Sequence, residues 1–449
     1  MAGTPAKSDL PRRHTLPTKP VTAVVVGAGN RGSRYAAYAL EHPDRLKIVA
    51  VADPSELHRR TLAKAHDIPE SRQYGSVDEL AAKPAIADAA INGTMDTLHV
   101  PTSLPLLEAG YDLLLEKPIA TGEAEMFQLV EAARRLDRRI MVCHVLRYAP
   151  FYHTIRERLE TGEIGEIVNM QTNEHVSYHH MAVAFVRGKW RNRAEGGSSM
   201  LMAKCCHDLD LIMWMKGGVR PTAVSSFGGQ MQFRPEKAPE GAGTHCLVDC
   251  PIEADCLYSA RKHYLDHLDR WKFYVWRDLE HLDDPTPKQR LEQLKSDDRY
   301  GRCVWRSDND VVDHQSVAIE FADGSTATHN LVGGTSRPIR SIHIVGTRGE
   351  IQGVFEDSSF VVRQIDPRPG HEYSEEMVDL RVTGDMSGGQ RRHGGGDFRL
   401  VDDFVSFIRG EPRSISCTTI EDSINGHLVG FRADAAMEER RVVDIPETR

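Results

Sequence analysis

Three glycines and an aspartate near the start of the chain have the spacing of a dinucleotide-binding site. The apolar run VTAVVV ends directly in Gly27, Gly29 and Gly32, and a helical pattern follows. In a G-x-G-x-x-G turn, the second glycine lets the backbone approach a pyrophosphate and the third lets the helix pack on the strand. A second apolar run ends at Asp53, whose carboxylate would accept hydrogen bonds from ribose hydroxyls and repel a 2′-phosphate. The pattern predicts NAD as the cofactor; a glycine turn without a ligand, with Asp53 capping a helix, is the alternative.

The elements that would position these residues alternate between apolar runs and helical patterns, as far as the run RIMVCHV. Such alternation predicts a parallel, doubly wound sheet, in which ligands lie at the carboxyl ends of the strands. Lys117 follows one of these runs, in the triplet EKP. Its ammonium would enter the cofactor crevice, bind a substrate hydroxyl and help its deprotonation; an ordinary solvated lysine is the alternative. The residues predicted to contact the cofactor are Gly27, Gly29, Asn30, Arg31, Gly32, Asp53, Thr94, His99, Glu116, Lys117 and His144.

Several sequence motifs, spread over both halves of the chain, together form one recognisable pattern. The set consists of VVVGAGNRG, Asp53, EKP at 116–118, HVLRYAP at 144–150, TGEIGEI at 161–167 and CHDLDLIMWM at 206–215. On these motifs the chain resembles the family of glucose–fructose oxidoreductases, inositol dehydrogenases and rhizopine-catabolism proteins, called Gfo/Idh/MocA. The resemblance implies an α/β fold, with an N-terminal Rossmann domain and a C-terminal α/β domain whose large, mostly antiparallel sheet covers the nicotinamide. It also implies hydride transfer from a secondary alcohol of a sugar or cyclitol.

The chain departs from the family pattern at the catalytic helix. The position of the catalytic histidine is His207, but Ala203 replaces the acidic residue that typical members carry four positions earlier, and Lys204 stands three positions before His207. Because positions i and i+3 share a helix face, we expect Lys204 and His207 both to face the substrate. A lysine close to an imidazole and a cationic nicotinamide should lose proton affinity, so both groups could act as acid and base near neutral pH. An exposed lysine and a structural histidine are the alternative.

The segment NEHVSYHHMAVAFVRGKWRNR carries four protic side chains within six positions, namely His175, Tyr178, His179 and His180. Because family members contact substrate from this segment, the cluster suggests proton handling, with metal binding as the alternative. The basic residues that follow are Arg187, Lys189, Arg191 and Arg193. They form either a solvated face or a site for an anionic substrate group such as a carboxylate or sulfonate. The predicted catalytic residues are Lys117, Tyr178, Lys204 and His207, and the predicted substrate contacts are Arg147, His175, His179, His180, Arg191 and His393.

We expect a disordered tail at residues 1–19, an NAD-binding Rossmann domain at 20–148 and a C-terminal domain at 149–449 that binds substrate and forms oligomers. Alternating patterns and the turn ADGS predict antiparallel strands in the second domain. Polar, Pro-rich and Trp-containing sequence interrupts that pattern from about 235 to 305. We interpret it as an insertion near the active-site mouth or the oligomer interface.

Cysteines cluster in the insertion. Cys246, Cys250 and Cys256 follow His245 closely, and Cys303 comes later. Four soft ligands could bind a structural zinc ion, but the spacing lacks the paired C-x-x-C knuckles of common zinc sites. Buried reduced thiols are the preferred interpretation, and no metal is assigned to the site.

Composition excludes several classes of protein. The 449 residues contain 56 Lys plus Arg and 65 Asp plus Glu, a formal net charge of −9, which disfavours nucleic acid or an anionic bilayer as the main partner. We find no apolar run of about 18 residues that would span a membrane. Without a recognisable export signal, a cytoplasmic homodimer or homotetramer that acts on a small-molecule sugar is expected.

The first functional hypothesis is NAD-dependent cleavage of a glycoside. A ring hydroxyl, commonly at C3, is transiently oxidised, the aglycone is eliminated, water adds and the ketone is reduced again. That cycle exchanges more protons than simple hydride transfer, and the surplus of lysines and histidines favours it. The basic residues suggest an acidic sugar, such as the substrate of a sulfoquinovosidase. The alternatives are a conventional NAD-dependent sugar or cyclitol dehydrogenase and a non-catalytic sensor of dinucleotide or sugar.

Overall fold

The computed structural model describes residues 19–296, 299–381 and 395–447, which form two sheets and the helices around them. The first sheet has six parallel strands in the order β3-β2-β1-β4-β5-β6. The strands are β1 (Val21–Val26), β2 (Leu46–Ala52), β3 (Gln73–Tyr74), β4 (Ala89–Asn92), β5 (Asp112–Leu115) and β6 (Ile140–Val142). Their apolar side chains are buried because a parallel sheet has helices on both faces. The strand order reverses between β1 and β4, where ligands of open α/β sheets bind, and the predicted Rossmann fold is confirmed.

Six helices connect these strands. They are α1 (Asn30–Ala36), α2 (Tyr38–Glu41), α3 (Glu56–Ala65), α4 (Val77–Ala81), α5 (His99–Ala109) and α6 (Glu123–Arg135). Serine side chains accept a backbone N–H at the start of α3 and of α4, which satisfies one of the free donors at a helix N-terminus. The glycine-rich turn lies between β1 and α1, at the carboxyl edge of the sheet.

The second sheet has nine strands in the order β14-β13-β12-β11-β7-β10-β9-β8-β15. Its strands are β7 (Ile167–Ser177), β8 (Pro221–Gly229), β9 (His314–Phe321), β10 (Thr326–Thr335), β11 (Ile339–Gly346), β12 (Gly349–Val354), β13 (Ser359–Ile365), β14 (Tyr373–Asp379) and β15 (Val443–Asp444). All neighbours are antiparallel except β7 and β10, which confirms the predicted large and mostly antiparallel sheet.

The described second half of the chain contributes eight α-helices, which pack on this sheet, in the insertion or on the first domain. They are α7 (Pro150–Glu160), α8 (Tyr178–His180), α9 (Arg193–Gly196), α10 (Met200–Met215), α11 (Lys272–Val275), α12 (Pro287–Lys295), α13 (Gly396–Arg409) and α14 (Ile420–Glu439). Every residue of α10 except Lys204 is buried. A helix that is apolar on all sides has no solvent face, and α10 accordingly packs against α14, β7 and β10. It is therefore a rigid support for residues at the domain seam.

Helix α13 belongs to the core of the first domain although it lies late in the chain. Its Leu400, Val401 and Phe404 pack in one cluster with Val25 and Tyr35. Through this helix, the chain of the predicted C-terminal domain, 149–449, returns to pack on the first domain. The strong apolar stripe of α13 has to be buried, and the first sheet provides the surface.

The insertion occupies the connection between β8 and β9, from residue 230 to 313. These two strands are antiparallel neighbours, so the insertion leaves the sheet and returns to it at adjacent positions. It contains α11, α12 and short turns. The insertion is therefore longer than the predicted span of 235 to 305. No helix in the described part of the chain is long and apolar enough to cross a membrane.

Candidate active site

The glycine turn leaves room for a ligand at one of its three glycines. Gly27 has φ +83°, and a Cβ there would lie 2.8 Å from the backbone N of Thr94. A Cβ on Gly32 would collide with the carbonyl oxygen of Gly27. At Gly29, by contrast, a Cβ would meet nothing within 4 Å. The turn thus packs tightly against the protein on two sides and is open at the glycine where a pyrophosphate approaches, which fits a dinucleotide.

Asp53 is held rigidly at the end of β2. One carboxylate oxygen accepts a hydrogen bond from Ala28 N at 2.6 Å and the other from Ser55 N at 2.8 Å. These bonds orient the carboxylate beside the glycine turn. His58 lies 3.9 Å from Asp53 and 2.9 Å from Glu280 of the insertion, so the insertion reaches this side of the site.

Glu116 and Arg31 brace the loop that carries Lys117. Arg31 Nε lies 2.6 Å from Glu116 and its Nη2 lies 2.8 Å from Asp397 of α13, while the Tyr35 hydroxyl also bonds Glu116 at 2.6 Å. Burial opposes ionisation of Glu116, but Arg31 and Lys117 outweigh it and lower its pKa to about 2. Both predicted cofactor contacts are therefore engaged within the protein, whereas Asn30 is exposed at the start of α1.

Thr94 and His99 lie at the end of β4. The Thr94 hydroxyl donates to Asn92 at 2.8 Å and is partly exposed. The His99 ring is buried, with Nδ1 at 2.5 Å from Pro118 O and Nε2 at 3.2 Å from Thr94 O. Both nitrogens of His99 therefore tie together the two loops that flank the site, and its predicted cofactor contact stays a prediction.

Lys117 reaches the catalytic helix. Its Nζ donates to the carbonyl oxygen of Ala203 at 2.8 Å, one helical turn before His207 on α10. Burial disfavours the ammonium, but Cys206 and the carboxylates of Glu116 and Asp96 outweigh burial and raise the pKa of Lys117. The structure thus bonds the Lys117 ammonium to the helical turn that leads to His207 and keeps the lysine a cation.

His144 stands behind His207, away from solvent. The two ring centroids are 5.7 Å apart, and the His144 ring also meets His427 at 5.8 Å. Burial, then Arg147 and Lys117, lower the pKa of His144 well below its usual value, so it is neutral. Only 1% of His144 is exposed, and neither ring nitrogen has a hydrogen-bond partner among the described residues, so its predicted contact with the cofactor stays a prediction.

Arg147, which was predicted to bind substrate, is paired within the protein. Its guanidinium forms a bidentate pair with Asp210 of α10, at 2.7 and 2.6 Å, and both side chains are buried. A bidentate carboxylate partner uses the donors that an anionic substrate would need. Arg147 therefore ties the first domain to the catalytic helix.

Lys204 and His207 have different neighbours, contrary to the prediction that they act side by side. Lys204 Nζ lies 2.9 Å from Glu174 of β7, and Arg340 of β11 lies 2.6 Å from the same carboxylate and 3.1 Å from Asp208. Residues at positions i and i+3 share a helix face, but their side chains can still point in different directions. Here the buried Glu174 attracts the lysine toward the sheet. The structure thus assigns Lys204 to an ion-pair network between helix and sheet.

The four protic residues at 175–180 divide between two environments. His175 alternates with the buried Glu174 and Val176, so it lies on the other face of the sheet, away from α10, and its predicted substrate contact stays a prediction. The ring of Tyr178 packs against His263 of the insertion at 5.3 Å. These contacts come from segments far along the chain.

His179 and His180 are covered by Trp271 of the insertion. Trp271 Nε1 donates to His179 Nδ1 at 3.0 Å, and the His180 ring stacks on the Trp271 ring at 4.2 Å. Burial, with Arg270 and His267 nearby, lowers the pKa of His179 to about 4, so this ring is neutral. Trp271 itself has φ +58°, a left-handed conformation that is costly for a bulky residue. The insertion therefore forms one wall next to the predicted site.

Lys189 belongs to the basic run that could receive an anionic group, but it was not among the predicted substrate contacts. Arg187 is fully buried, the predicted substrate contact Arg191 pairs with Glu195 and Asp308, and Arg193 pairs with Glu438. Lys189 differs: it lies over the Trp190 ring at 4.1 Å, and within 4.0 Å it forms no ion pair among the described residues.

The pKa of Lys189 depends in part on the charge of Lys117. Burial lowers the pKa of Lys189 to about 8, opposed by Asp96 and assisted by Lys117. Asp96, at the end of β4, accepts hydrogen bonds from Trp190 Nε1 at 3.1 Å and Ser198 at 2.9 Å. The available signal was a lysine between a glycine and a tryptophan inside a basic run, but the sequence did not distinguish it from its neighbours. The remaining predicted contact, His393, lies outside the described residues.

A glycine turn open to a dinucleotide, and a lysine bonded to the helix that carries His207 where a Rossmann domain meets an antiparallel-sheet domain, fit an NAD-binding oxidoreductase. Residues 21–144 match the model described as "Oxidoreductase family, NAD-binding Rossmann fold", and residues 156–445 match "Oxidoreductase family, C-terminal alpha/beta domain". The chain belongs to the Gfo/Idh/MocA oxidoreductase family.

Individual relatives are distant. The Bacillus subtilis protein YteT is 24% identical over 370 residues, which cover 80% of this chain and 81% of that protein. Inositol 2-dehydrogenase of Corynebacterium glutamicum is 29% identical over 205 residues, 44% of this chain and 55% of that enzyme. The alignment with this second relative thus spans about half of its length.

Solved structures share the fold over nearly the whole chain. The WlbA dehydrogenase from Bordetella pertussis, solved in complex with NADH and UDP-GlcNAcA, has a TM-score of 0.66 at 16% identity and covers 97% of this chain and 100% of its own. The oxidoreductase domain protein from Kribbella flavida has a TM-score of 0.69 at 16% identity, covering 96% and 100%. At such identities the likeness establishes the fold alone.

Proposed function

We propose that the protein oxidises a ring hydroxyl of a sugar-like substrate with NAD. The observation that carries the proposal is the Lys117 ammonium, 2.8 Å from the backbone of the helical turn that leads to His207, beside the open glycine turn. Relatives named for inositol, and a structural neighbour solved with a nucleotide sugar, support a polyhydroxylated substrate.

The chemistry follows from the charge of each group. NAD, when bound, accepts a hydride from the carbinol carbon and can return it. His207 is the base that takes the hydroxyl proton, because Lys117 is held as a cation and has no free electron pair. The Lys117 ammonium donates a hydrogen bond to the hydroxyl oxygen and stabilises the negative charge that develops there. The insertion excludes water by covering the segment at 178–180.

A second candidate is redox-neutral cleavage of a glycoside, and one observation favours it. Lys189, with a pKa of about 8, and Tyr178 provide proton-bearing groups in addition to Lys117 and His207. After oxidation of the ring hydroxyl, the proton next to the ketone leaves together with the aglycone. Water then adds, and return of the hydride and a proton restores the alcohol. The sum is one glycosidic bond cleaved by one water, with no net redox change.

Lys189 has a different role in each candidate. In a dehydrogenase its ammonium would pair with a carboxylate or sulfonate of an anionic sugar. In glycoside cleavage it would protonate the leaving oxygen, since both its protonation states are populated near pH 8. Lys189→Arg separates the roles, because arginine keeps the charge but does not release its proton.

The experiment uses the purified chain with excess NAD and nitrophenyl glycosides of neutral and acidic sugars. Stoichiometric NADH without released nitrophenol supports the dehydrogenase, whereas nitrophenol released without NADH supports the cleavage cycle. Lys117→Met should lose turnover in either case and still bind NAD, measured by fluorescence titration. A chain that binds NAD but turns over no sugar, with Lys117→Met indistinguishable from wild type, would establish the sensor instead.

A further inference from the structure

Four cysteines that are dispersed in sequence surround one small cavity in the insertion. Cys246, Cys250, Cys256 and Cys303 line it, together with Arg187, Tyr258 and Trp305. The other four cysteines of the chain lie elsewhere, in or beside β6, on α10 and before α14. We propose that these four thiols are the ligands of a thiolate-bound metal centre, either a single zinc ion or an iron–sulfur cluster, which anchors the insertion beside the active site.

Backbone hydrogen bonds between two distant segments bring the thiols together, although the cysteines are not close in sequence. Cys246 N donates to Gly301 O at 2.9 Å and Cys303 N donates to Thr244 O at 2.8 Å. These bonds flank a single antiparallel bridge between His245 and Arg302. Two segments far apart in the chain are therefore paired at the positions that place Cys246 and Cys303 at the cavity.

Backbone amides point at two of the sulfur atoms. Tyr258 N donates to Cys256 Sγ at 3.3 Å, and Trp305 N donates to the sulfur of Cys303, in each case from two residues downstream. Such amides would remain as donors to sulfur atoms that carry negative charge once a metal is bound, and charged acceptors make the stronger hydrogen bonds. Thiolates are the form in which cysteine binds metal.

The buried guanidinium of Arg187 is the strongest electrostatic evidence for a negatively charged centre in the cavity. It is fully buried, and its guanidinium contacts Arg302 O, Tyr258 O, the Tyr264 hydroxyl and Cys246 Sγ. Among the ion pairs of the described residues, none within 4.0 Å includes Arg187. A buried cation without a counter-ion is costly, whereas four thiolates around one divalent ion carry a net charge of −2 that would pair with it.

The spacing of the thiols bears on which centre forms. In the described chain, only Cys205, Asp208 and His329 bring three metal-ligating atoms within 4.8 Å of one another. Sulfurs of a tetrahedral zinc site, with bonds of about 2.3 Å, lie about 3.8 Å apart. The four sulfur atoms therefore lie farther apart than those of a tetrahedral zinc site. Zinc would draw them inward and release their protons to solvent, whereas a cluster would use the wider ring.

The test is the metal and acid-labile sulfide content of the full chain, purified without oxygen from cells supplied with zinc and iron. About one zinc per chain without sulfide supports the mononuclear site, and iron with sulfide and visible absorption supports the cluster. Cys303→Ser and Cys250→Ser should lose most of the metal, while Cys417→Ser, the matched control outside the cavity, should keep it.

Wild-type protein that holds neither zinc nor iron with sulfide would overturn the proposal, and so would Cys303→Ser that binds as much metal as wild type. These measurements need no substrate, so they are independent of the proposed function. A metal-bound chain should also lose thermal stability when a chelator removes the metal, because the ion stabilises only the folded form.

Discussion

Arg147→Met should destabilise the fold strongly while leaving substrate affinity unchanged. The side chains of Arg147 and Asp210 are 4% and 2% exposed, and two hydrogen bonds join them. Without Arg147, the Asp210 carboxylate remains buried 3.7 Å from His144, a neutral ring that does not replace the lost cation. Removing one partner of a buried pair costs about 3–5 kcal/mol.

The shift in Tm follows from the size of the chain. Unfolding entropy is about 2 cal/mol/K per residue, so for 449 residues unfolding together each kcal/mol lowers the Tm by about 1 °C. Calorimetry should therefore show a loss of about 3–5 °C for Arg147→Met. Replacing both partners, as Arg147→Met with Asp210→Leu, should recover most of the loss, because no charge is then left buried.

Arg193→Met is the matched control. Arg193 also forms one ion pair, with Glu438, but the side chains are 43% and 57% exposed, and exposed pairs contribute at most about 1 kcal/mol. If Arg147→Met keeps the wild-type Tm and instead raises KM for the substrate, Arg147 binds substrate and our reading of the buried pair is wrong.

Four further outcomes are expected. Asp53→Ser should raise KM for NAD about tenfold and admit NADP, measured by initial rates, because the carboxylate that repels a 2′-phosphate is gone; unchanged preference would contradict its placement. Lys117→Met should lower kcat by about 10²–10⁴-fold while NAD titrations stay unchanged. If Lys189 binds an anionic group, KM should rise above pH 8, since a group whose pKa is about 8 loses its charge as the pH increases, and Lys189→Arg should abolish that rise. Light scattering should give the mass of a dimer or tetramer; a monomer would refute the expected oligomer.

Much of the fold could be predicted because its signals are local. The alternation of apolar runs and helical patterns predicted the parallel sheet, and the residues that matched the family predicted the antiparallel one. The cofactor turn was equally accessible, since the turn, the helix start and the next strand all lie within a few dozen residues of Gly27. The packing of helix α13 on the first domain was not predicted because its apolar stripe does not say which sheet will cover it.

The site could be predicted less completely than the fold, for one reason. Several chemically able side chains at plausible positions are engaged by groups from distant segments, namely His99, Arg147, Lys204 and Arg191. Charge and hydrogen-bonding capacity are properties of a residue type, whereas availability depends on what else is buried nearby.

The amino-acid order alone determined the cofactor class and the two-domain architecture, because glycine turns, strand periodicity and the Asp53 position act over short stretches of chain. Only the tertiary structure decided which of the basic residues are engaged in ion pairs and that four distant thiols line one cavity. Electrostatic partners across a domain seam are brought together by folding, and burial then strengthens whichever pairs have formed.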